Sequence, residues 1–599
     1  MNMDQILDCL AEPYGVLAES STQQLTVIAR NDDVAVGDLF LLPCQRGPHR
    51  FYIFRATQYA NVMNRTVDVG DVARNKLTMP DSYLSSDLQD ELLIELKGSV
   101  LGYSQWHASD GAWEFHRPRR LPHHLTDVYV VRQSRDCITK VMCTLLGSQL
   151  GEGIFVGDLL AGEHPLQGVP VCIPPLALSH HIGVFGRTGS GKSNLMMVLL
   201  RSIMKHNQLV YQNERADPNI SIFAIDPHDE FRTWHADVGG KDGIRGIVNA
   251  YNDEEKDALI SPFYYLTGRS AGNAELERRV KLSRADLTPD DLASVMEFTE
   301  QQISFARQHY SDHGEQWIGR LLLGDTGDDE ENQPGRAHEA TILAVQRRLG
   351  FLNDSQTRVF TRFDPEAGRN YDSLLPDIIC ALESGRLLVV DTTLMSELEQ
   401  FLLTTIVARV LFRLRKALRA AESTADLKTA VRQALGNDAS PTNRQIGMQT
   451  FANEMITRLE NGLLPYLSGE DIRTPNELPF INVVIEEAPS VLNPQRLRFG
   501  SVFRDISRQG RKFGLGLTVV SQQVSEIDHG VLTQLNTELT MALGNDSERR
   551  EAIRNASADL AGFEKELQVM GKGQVLVTAS YRDIPLPVQV PNYDELAND

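Results

Sequence analysis

The octapeptide GRTGSGKS, residues 186–193, fits the pattern G-x-x-x-x-G-K-[ST] and reads, residue by residue, as a cradle for phosphate. Gly186, Gly189 and Gly191 allow backbone geometries that a Cβ would obstruct, so successive N–H groups can turn toward phosphate oxygens at the positive end of the helix that follows. Lys192 supplies a cation for the β- and γ-phosphates, and Ser193 a hydroxyl for Mg²⁺. Arg187, Thr188, Ser190 and Asn194 complete the set of residues expected around the nucleotide. The chemistry implied is binding and cleavage of a nucleoside triphosphate. ATP is expected rather than GTP, because no N-K-x-D guanine-reading motif follows the core strands.

Cleavage needs a second acidic position, to support Mg²⁺ and to orient the attacking water. Three apolar runs end in acids: FAID at Asp226, LLVVD at Asp391, and VVIEE at Glu486 and Glu487. Two adjacent carboxylates are the most economical fit, Glu487 for the water and Glu486 on the metal side. Asp226 is the next candidate for a place beside the nucleotide, and Asp391 is expected to cap the helix that starts near Glu397. Arg508 and Arg511 lie three apart on a basic helix after the acidic pair, spaced for a finger that reaches a neighbour's γ-phosphate. Gln522, closing LTVVSQQ, is a candidate γ-phosphate sensor, or equally a plain strand-end amide.

These groups need elements to hold them. Residues 182–185 read as a buried strand and 194–204 as a helix, the context a phosphate loop requires. Further strands in SIFAID, GRLLVVD, LPFINVVI, LGLTVVS and ELTMAL alternate with helices, including one over 397–421, and imply an α/β core with a mostly parallel sheet. Before it, from residue 15 to about 135, short β-like runs separated by turns suggest a small barrel or sandwich. Between 256 and 377 the pattern turns helical, interrupted by the acidic segment 325–337; a polar linker falls at 436–445. The expected division is 1–150 for the β-domain, 151–255 and 378–575 for the two parts of the core, 256–377 for a helical insertion, and 576–599 for a C-terminal tail or brace.

Composition narrows the class. The chain of 599 residues carries a formal charge of −21, which argues against a surface that is basic all over and requires any nucleic-acid contact to be local. Cys9, Cys44, Cys137, Cys143, Cys172 and Cys380 show no C-x-x-C spacing and read as reduced, buried thiols. The apolar stretch 401–414 is broken by Arg409 and Arg413 and falls short of the roughly 20 residues of a membrane span. With no secretion-signal pattern at the start, a cytoplasmic location without membrane attachment is expected.

The combination HIGVFGRTGSGKSN, AIDPHDEF, VVIEEAPSVL, SRQGRKFGLGLTVVSQQ and QLNTELTMALGN resembles the HerA family of hexameric DNA-translocating ATPases, within the larger HerA and FtsK group of P-loop NTPases. The resemblance implies a RecA-like P-loop NTPase core, an N-terminal β-barrel and a helical-bundle insertion. It implies ATP and Mg²⁺ at Lys192 and Ser193, Glu487 as catalytic acid, Arg508 or Arg511 acting in trans, and Gln522 as sensor. It also implies a homo-hexamer with double-stranded DNA in the central pore. Arg496, Arg498, Lys241 and Arg245 are the basic residues that would meet phosphates there. A separate partner is expected, a NurA-type nuclease or a sirtuin-type NAD-consuming effector, in DNA end processing or antiviral defence. An ATP-switched scaffold that recruits such an effector without translocating is the other reading. Glu486 stands where many relatives carry Asp, and Pro489 where a His often follows. The pair His180–His181 reads as a polar strand start that adds to the resemblance.

Overall fold

The computed structural model describes residues 1–10, 12–21, 24–30, 33–44, 48–63, 74, 77–78, 92–132, 137–212, 217–231, 263–268, 277–324, 339–353, 357–366, 368–436, 449–469, 471–497, 501–560 and 562–598. Lys241, Arg245, Arg498, the acidic segment 325–337 and most of the 436–445 linker lie outside them. The chain forms two compact units, one of Met1–Pro174, Gly186–Val198 and Thr537–Asn592, the other of Pro175–Phe185, Leu199–Asn536 and Tyr593–Asp599.

In the first unit, strands Leu25–Ala29, Gly15–Ser20, Asp127–Val130, Leu39–Cys44, Arg50–Met63 and Leu92–His107 pair antiparallel in that order, and Leu25–Ala29 pairs again with Leu92–His107. That last pairing closes a barrel and removes its edges. Period-two patterning fills it: Leu25 and Val27, Phe40, Leu42 and Cys44, Tyr52, Phe54 and Ala56 all point into one buried cluster. Strand Ala112–His116 hangs outside the closure, paired with Leu92–His107. A second antiparallel set joins Leu535–Met541, Gln574–Ala579, Leu586–Gln589, Ile154–Ala161 and His164–Ile173. The segment expected as a tail or brace supplies a sheet strand, with Val588 level with Leu159.

The second unit carries the parallel sheet, in the order Glu277–Arg279, Phe263–Thr267, Leu387–Asp391, Ile220–Asp226, Phe480–Ile485, Leu515–Ser521, His181–Phe185. Its central strands are buried at every position, as both-faced coverage by helices requires. Two of these strands, Phe263–Thr267 and Glu277–Arg279, fall inside the stretch expected to be helical. Among the described residues, the helices that lie wholly within that stretch are Pro289–Val295, Glu300–His313, Trp317–Leu323 and Glu339–Leu349. Helix Glu397–Ala420 is capped by Ser396, whose side chain accepts from Glu399 N–H while Glu399 reaches back, so Asp391 is not its cap. All six cysteines are free; Cys44 and Cys380 are buried and the other four only partly so.

A buried ion pair ties this unit together. Arg415 donates from Nε to Glu383 Oε1 (3.0 Å) and from Nη2 to the Pro479 carbonyl (3.0 Å), and Tyr466 donates its hydroxyl to the same carboxylate (2.8 Å). Both charged side chains are fully buried. Glu383→Ala strands a guanidinium in the interior, and the expected loss is about 3 to 5 kcal/mol in denaturant melts against the wild-type chain.

Candidate nucleotide site

The phosphate loop belongs to the first unit. Gly189 and Gly191 adopt φ of +77° and +105°, left-handed values that a side chain resists and that let consecutive N–H groups face one side. Lys192 opens the helix Lys192–Tyr211 and folds its ammonium over the loop, donating to the carbonyls of Gly186 (2.8 Å) and Arg187 (3.2 Å). Neighbouring backbone fixes the loop: Arg187 N–H donates to Ala542 O (2.8 Å), and Gly573 N–H to Ser190 O (2.8 Å). Arg187, Thr188 and Gly189 are exposed at the tip and Ser190 is buried. Asn194 donates its amide to Pro591 O (2.9 Å), which makes it a brace for the loop helix. A left-handed cradle with a lysine over it and Ser193 in the first helical turn fits a triphosphate with Mg²⁺; Lys192 would hold phosphate and Ser193 the metal.

In the second unit the parallel register lines up the acids. Phe185, after which the phosphate loop begins, is level with Ser521, and Ile485 with Val519, so Glu486 and Glu487 emerge at the carboxyl edge of the sheet beside Gln522. Asp226 and Asp391 are level with each other at that edge. Their surroundings separate them. Asp226 is fully buried; its Oδ1 accepts from Glu230 N–H and its Oδ2 from Phe231 N–H, both at 2.9 Å. Burial raises its pKa to about 6 against those hydrogen bonds. Asp391 accepts from Thr267 Oγ1 (2.9 Å) on one oxygen and from Thr393 N–H (3.0 Å) and Oγ1 (2.6 Å) on the other. Both acids brace the turns after their strands.

Glu487 differs. It is exposed, and its φ of +47° puts a non-glycine residue in the left-handed region, an arrangement that costs on the order of 1 to 3 kcal/mol and clusters at functional sites. Gln522 donates to its Oε1 at 3.3 Å. Glu486 beside it is half-buried.

The arginines stand at the other edge. Arg508 lies near the end of helix Val502–Gln509 and Arg511 in the turn Gly510–Phe513, just before strand Leu515–Ser521 begins, and both are exposed. That strand of 7 residues, at about 3.3 Å each, holds them about 20 Å from Gln522 at its far end. Arg511 sits close enough to His180 for its charge to add to burial in lowering the imidazole pKa. His180 is buried, with no hydrogen bond to either ring nitrogen among the described residues.

Sequence reasoning missed what His181 does. Leu517 N–H donates to its Nδ1 (3.1 Å), leaving the proton on Nε2, toward the backbone of Ser507 and Ile506. Burial lowers its pKa to about 4, so the ring is a neutral link between the phosphate-loop strand and the arginine helix. The same seam is tightened by Gly516, where a Cβ would meet Leu178 O at 2.1 Å and His180 O at 2.3 Å. Asn482, the lone amide in the apolar run FINVVI, donates to Leu178 O (2.8 Å) and accepts from Thr518 Oγ1 (2.7 Å). A polar residue inside a fully apolar strand was the available signal for it. Arg496 donates to Val295 O (2.9 Å) and stacks over Phe401 (5.6 Å), contacts that engage its guanidinium within the unit.

Comparison with known proteins bears on this arrangement. The family model of the central domain of helicase HerA matches residues 154–411, which include the phosphate loop. The DNA double-strand break repair helicase HerA of Pyrococcus furiosus is 21% identical over 491 residues, 80% of this chain and 75% of that one. The chain is thus similar to HerA helicases over most of its length. A second HerA relative, the probable DNA double-strand break repair helicase of Methanocaldococcus jannaschii, is 22% identical over 74% of this chain and 77% of its own. Among solved structures, VirB4 of Thermoanaerobacter pseudethanolicus aligns over 74% of this chain and 97% of its own at 12% identity, with a TM-score of 0.38, too loose to bear on function. No helix among the described residues is long and apolar enough to cross a membrane.

Proposed function

We propose that this chain is a HerA-type ATP-driven translocase on double-stranded DNA, assembled as a ring of six, in which each nucleotide is bound by one subunit and cleaved with help from the next. One observation carries the reading. Arg508 and Arg511 stand at the amino edge of the parallel sheet, about 20 Å of strand from Glu487 and Gln522 at the carboxyl edge, so an arginine that serves the chemistry serves a neighbour's site. In this reading the loop 186–193 holds ATP and Mg²⁺, Glu487 orients the water, Glu486 supports the metal side and Gln522 reports the γ-phosphate. When bound, Mg²⁺ neutralises charge that develops on the phosphates. The relatives named for DNA double-strand break repair support DNA as the track, and the net charge of −21 confines the contact to local basic groups. Arg496, Arg498, Lys241 and Arg245 are the candidates for those groups. A nuclease or an NAD-consuming effector would supply any cutting or signalling, with end processing or antiviral defence as the setting and the cytoplasm as the place.

The test combines native mass with single-turnover movement. A six-fold mass, ATP turnover that rises on adding duplex DNA, and ATP-dependent displacement of a triplex-forming strand are expected. A pure ring that hydrolyses ATP at the same rate with and without DNA, and displaces nothing, would establish the ATP-switched scaffold instead.

A further inference from the structure

The β-hairpin that hangs from the N-terminal barrel carries a group of side chains that the nucleotide chemistry does not use. Strand Ala112–His116 pairs antiparallel with the end of Leu92–His107, placing Tyr103 opposite His116, Gln105 opposite Glu114 and His107 opposite Ala112. Because side chains alternate, His107, Glu114 and His116 share one face of this pair. Glu114 Oε2 lies 3.0 Å from His107 Nε2 and 3.9 Å from His116 Nε2, and the three atoms fall within 4.8 Å of one another. Both Nε2 atoms are shielded from solvent and lack a hydrogen-bond partner among the described residues. The imidazole nitrogens and the carboxylate oxygen thus lie close together with no hydrogen bond to either Nε2.

We propose that His107, Glu114 and His116 form a binding site for a divalent transition-metal ion of the zinc class, independent of the nucleotide's Mg²⁺. Tetrahedral zinc holds imidazole nitrogen and carboxylate oxygen at about 2.0 to 2.2 Å, which spaces neighbouring ligand atoms by about 3.3 Å. The observed 3.0 and 3.9 Å straddle that spacing, so closure needs only side-chain adjustment. Two imidazoles and one carboxylate select zinc, copper or nickel over Mg²⁺, which prefers all-oxygen sites. Glu114 is 63% exposed, which leaves room for water at a fourth position. The surroundings hold the ligands in place. Tyr103 packs against the His116 ring at 5.3 Å, and Gln105, the remaining polar group on this face, accepts from Arg50 Nε at 2.8 Å and stays out of the set.

The placement suggests what an ion would do. Ala112–His116 pairs with one strand and lies outside the barrel's closure, so it is an edge with half the support of its neighbours. An ion bridging His107 on one strand to Glu114 and His116 on the other staples the hairpin across its turn. On the opposite face Trp106 and Trp113 pack together at 5.4 Å, a built-in fluorescent reporter.

The test uses the full chain without a histidine tag, stripped with chelator and titrated with Zn²⁺ by calorimetry and with Co²⁺ by visible absorption, with millimolar Mg²⁺ present. The expected results are one ion per chain, the visible bands of four-coordinate Co²⁺, and a change in tryptophan emission at the same stoichiometry. Glu114→Gln, His107→Ala and His116→Ala should each weaken uptake by at least tenfold, the range that even outer-shell changes reach. Circular dichroism and ATP binding should stay as in wild type, which separates loss of a ligand from loss of fold. Uptake unchanged in the His107→Ala/His116→Ala double variant, displacement by Mg²⁺, or no stoichiometric binding would each overturn the site. None of these readouts depends on how the ring uses ATP.

Discussion

Arg511→Ala is expected to lower kcat for ATP hydrolysis by about 10³- to 10⁵-fold, the worth of an arginine supplied to a phosphoryl-transfer site from a neighbour. The affinity for ATP should change little, because the residue stands at the amino edge of its own sheet while the strand leading to its own phosphate loop ends at the other edge. Its surroundings argue for a fixed rather than a wandering side chain. Gly514 turns the chain at φ of +68°, and Arg419 donates to the Lys512 carbonyl (2.9 Å), so the turn that presents Arg511 is pinned on both sides. The decisive measurement is complementation. Arg511→Ala subunits keep an intact phosphate loop, and Lys192→Ala subunits keep an intact arginine. In the proposed ring, mixed assemblies would contain interfaces that join the two intact halves, so activity should return on mixing two inactive proteins. Mixtures as inactive as their parents would remove Arg511 from the trans role and direct attention to Arg508, tested the same way.

Much of this was legible because phosphate chemistry restricts residue types. Glycines at 186, 189 and 191, a lysine and a hydroxyl have few other reasons to stand at that spacing between strand and helix, and parallel strands betray themselves as unbroken apolar runs. The strand-end acids were harder. Asp226, Asp391 and Glu487 look alike in sequence, each closing an apolar run, and they part only in how their oxygens are occupied, which depends on the path of the turn that follows. Asp226 folds back onto the N–H groups of Glu230 and Phe231, whereas Glu487 takes a left-handed backbone and stays exposed. Long-range pairing was also out of reach. Nothing local says that Leu25–Ala29 closes a barrel with Leu92–His107, or that Leu586–Gln589 finds Ile154–Ala161. The pair His180–His181 looked like a polar strand start, and its part in joining that strand to the arginine helix emerges only when Leu517 and Ser507 are brought beside it.

The sharpest test of that separation of acids is Glu487→Gln. The substitution keeps the length of the side chain and a partner for Gln522, now 3.3 Å from Oε1, and removes the charge proposed to orient and polarise water. Hydrolysis is expected to fall by about 10² to 10⁴, the range for a positioned acid–base group, while ATP binding followed with a fluorescent analogue persists. Asp226→Asn should behave in the opposite way. Its carboxylate accepts two backbone N–H groups from a buried position, and an amide can accept with one oxygen only, so the loss is a loosened turn and a lower melting temperature. If Asp226→Asn abolished hydrolysis with stability intact while Glu487→Gln still turned over, the acid that activates water would lie on the strand Ile220–Asp226. The left-handed backbone at Glu487 would then need another cause. The reverse outcome ties a strained, exposed acid at the carboxyl edge to the chemical step, and would make Glu487→Gln the variant in which the proposed ATP-bound assembly on DNA can be held still for study.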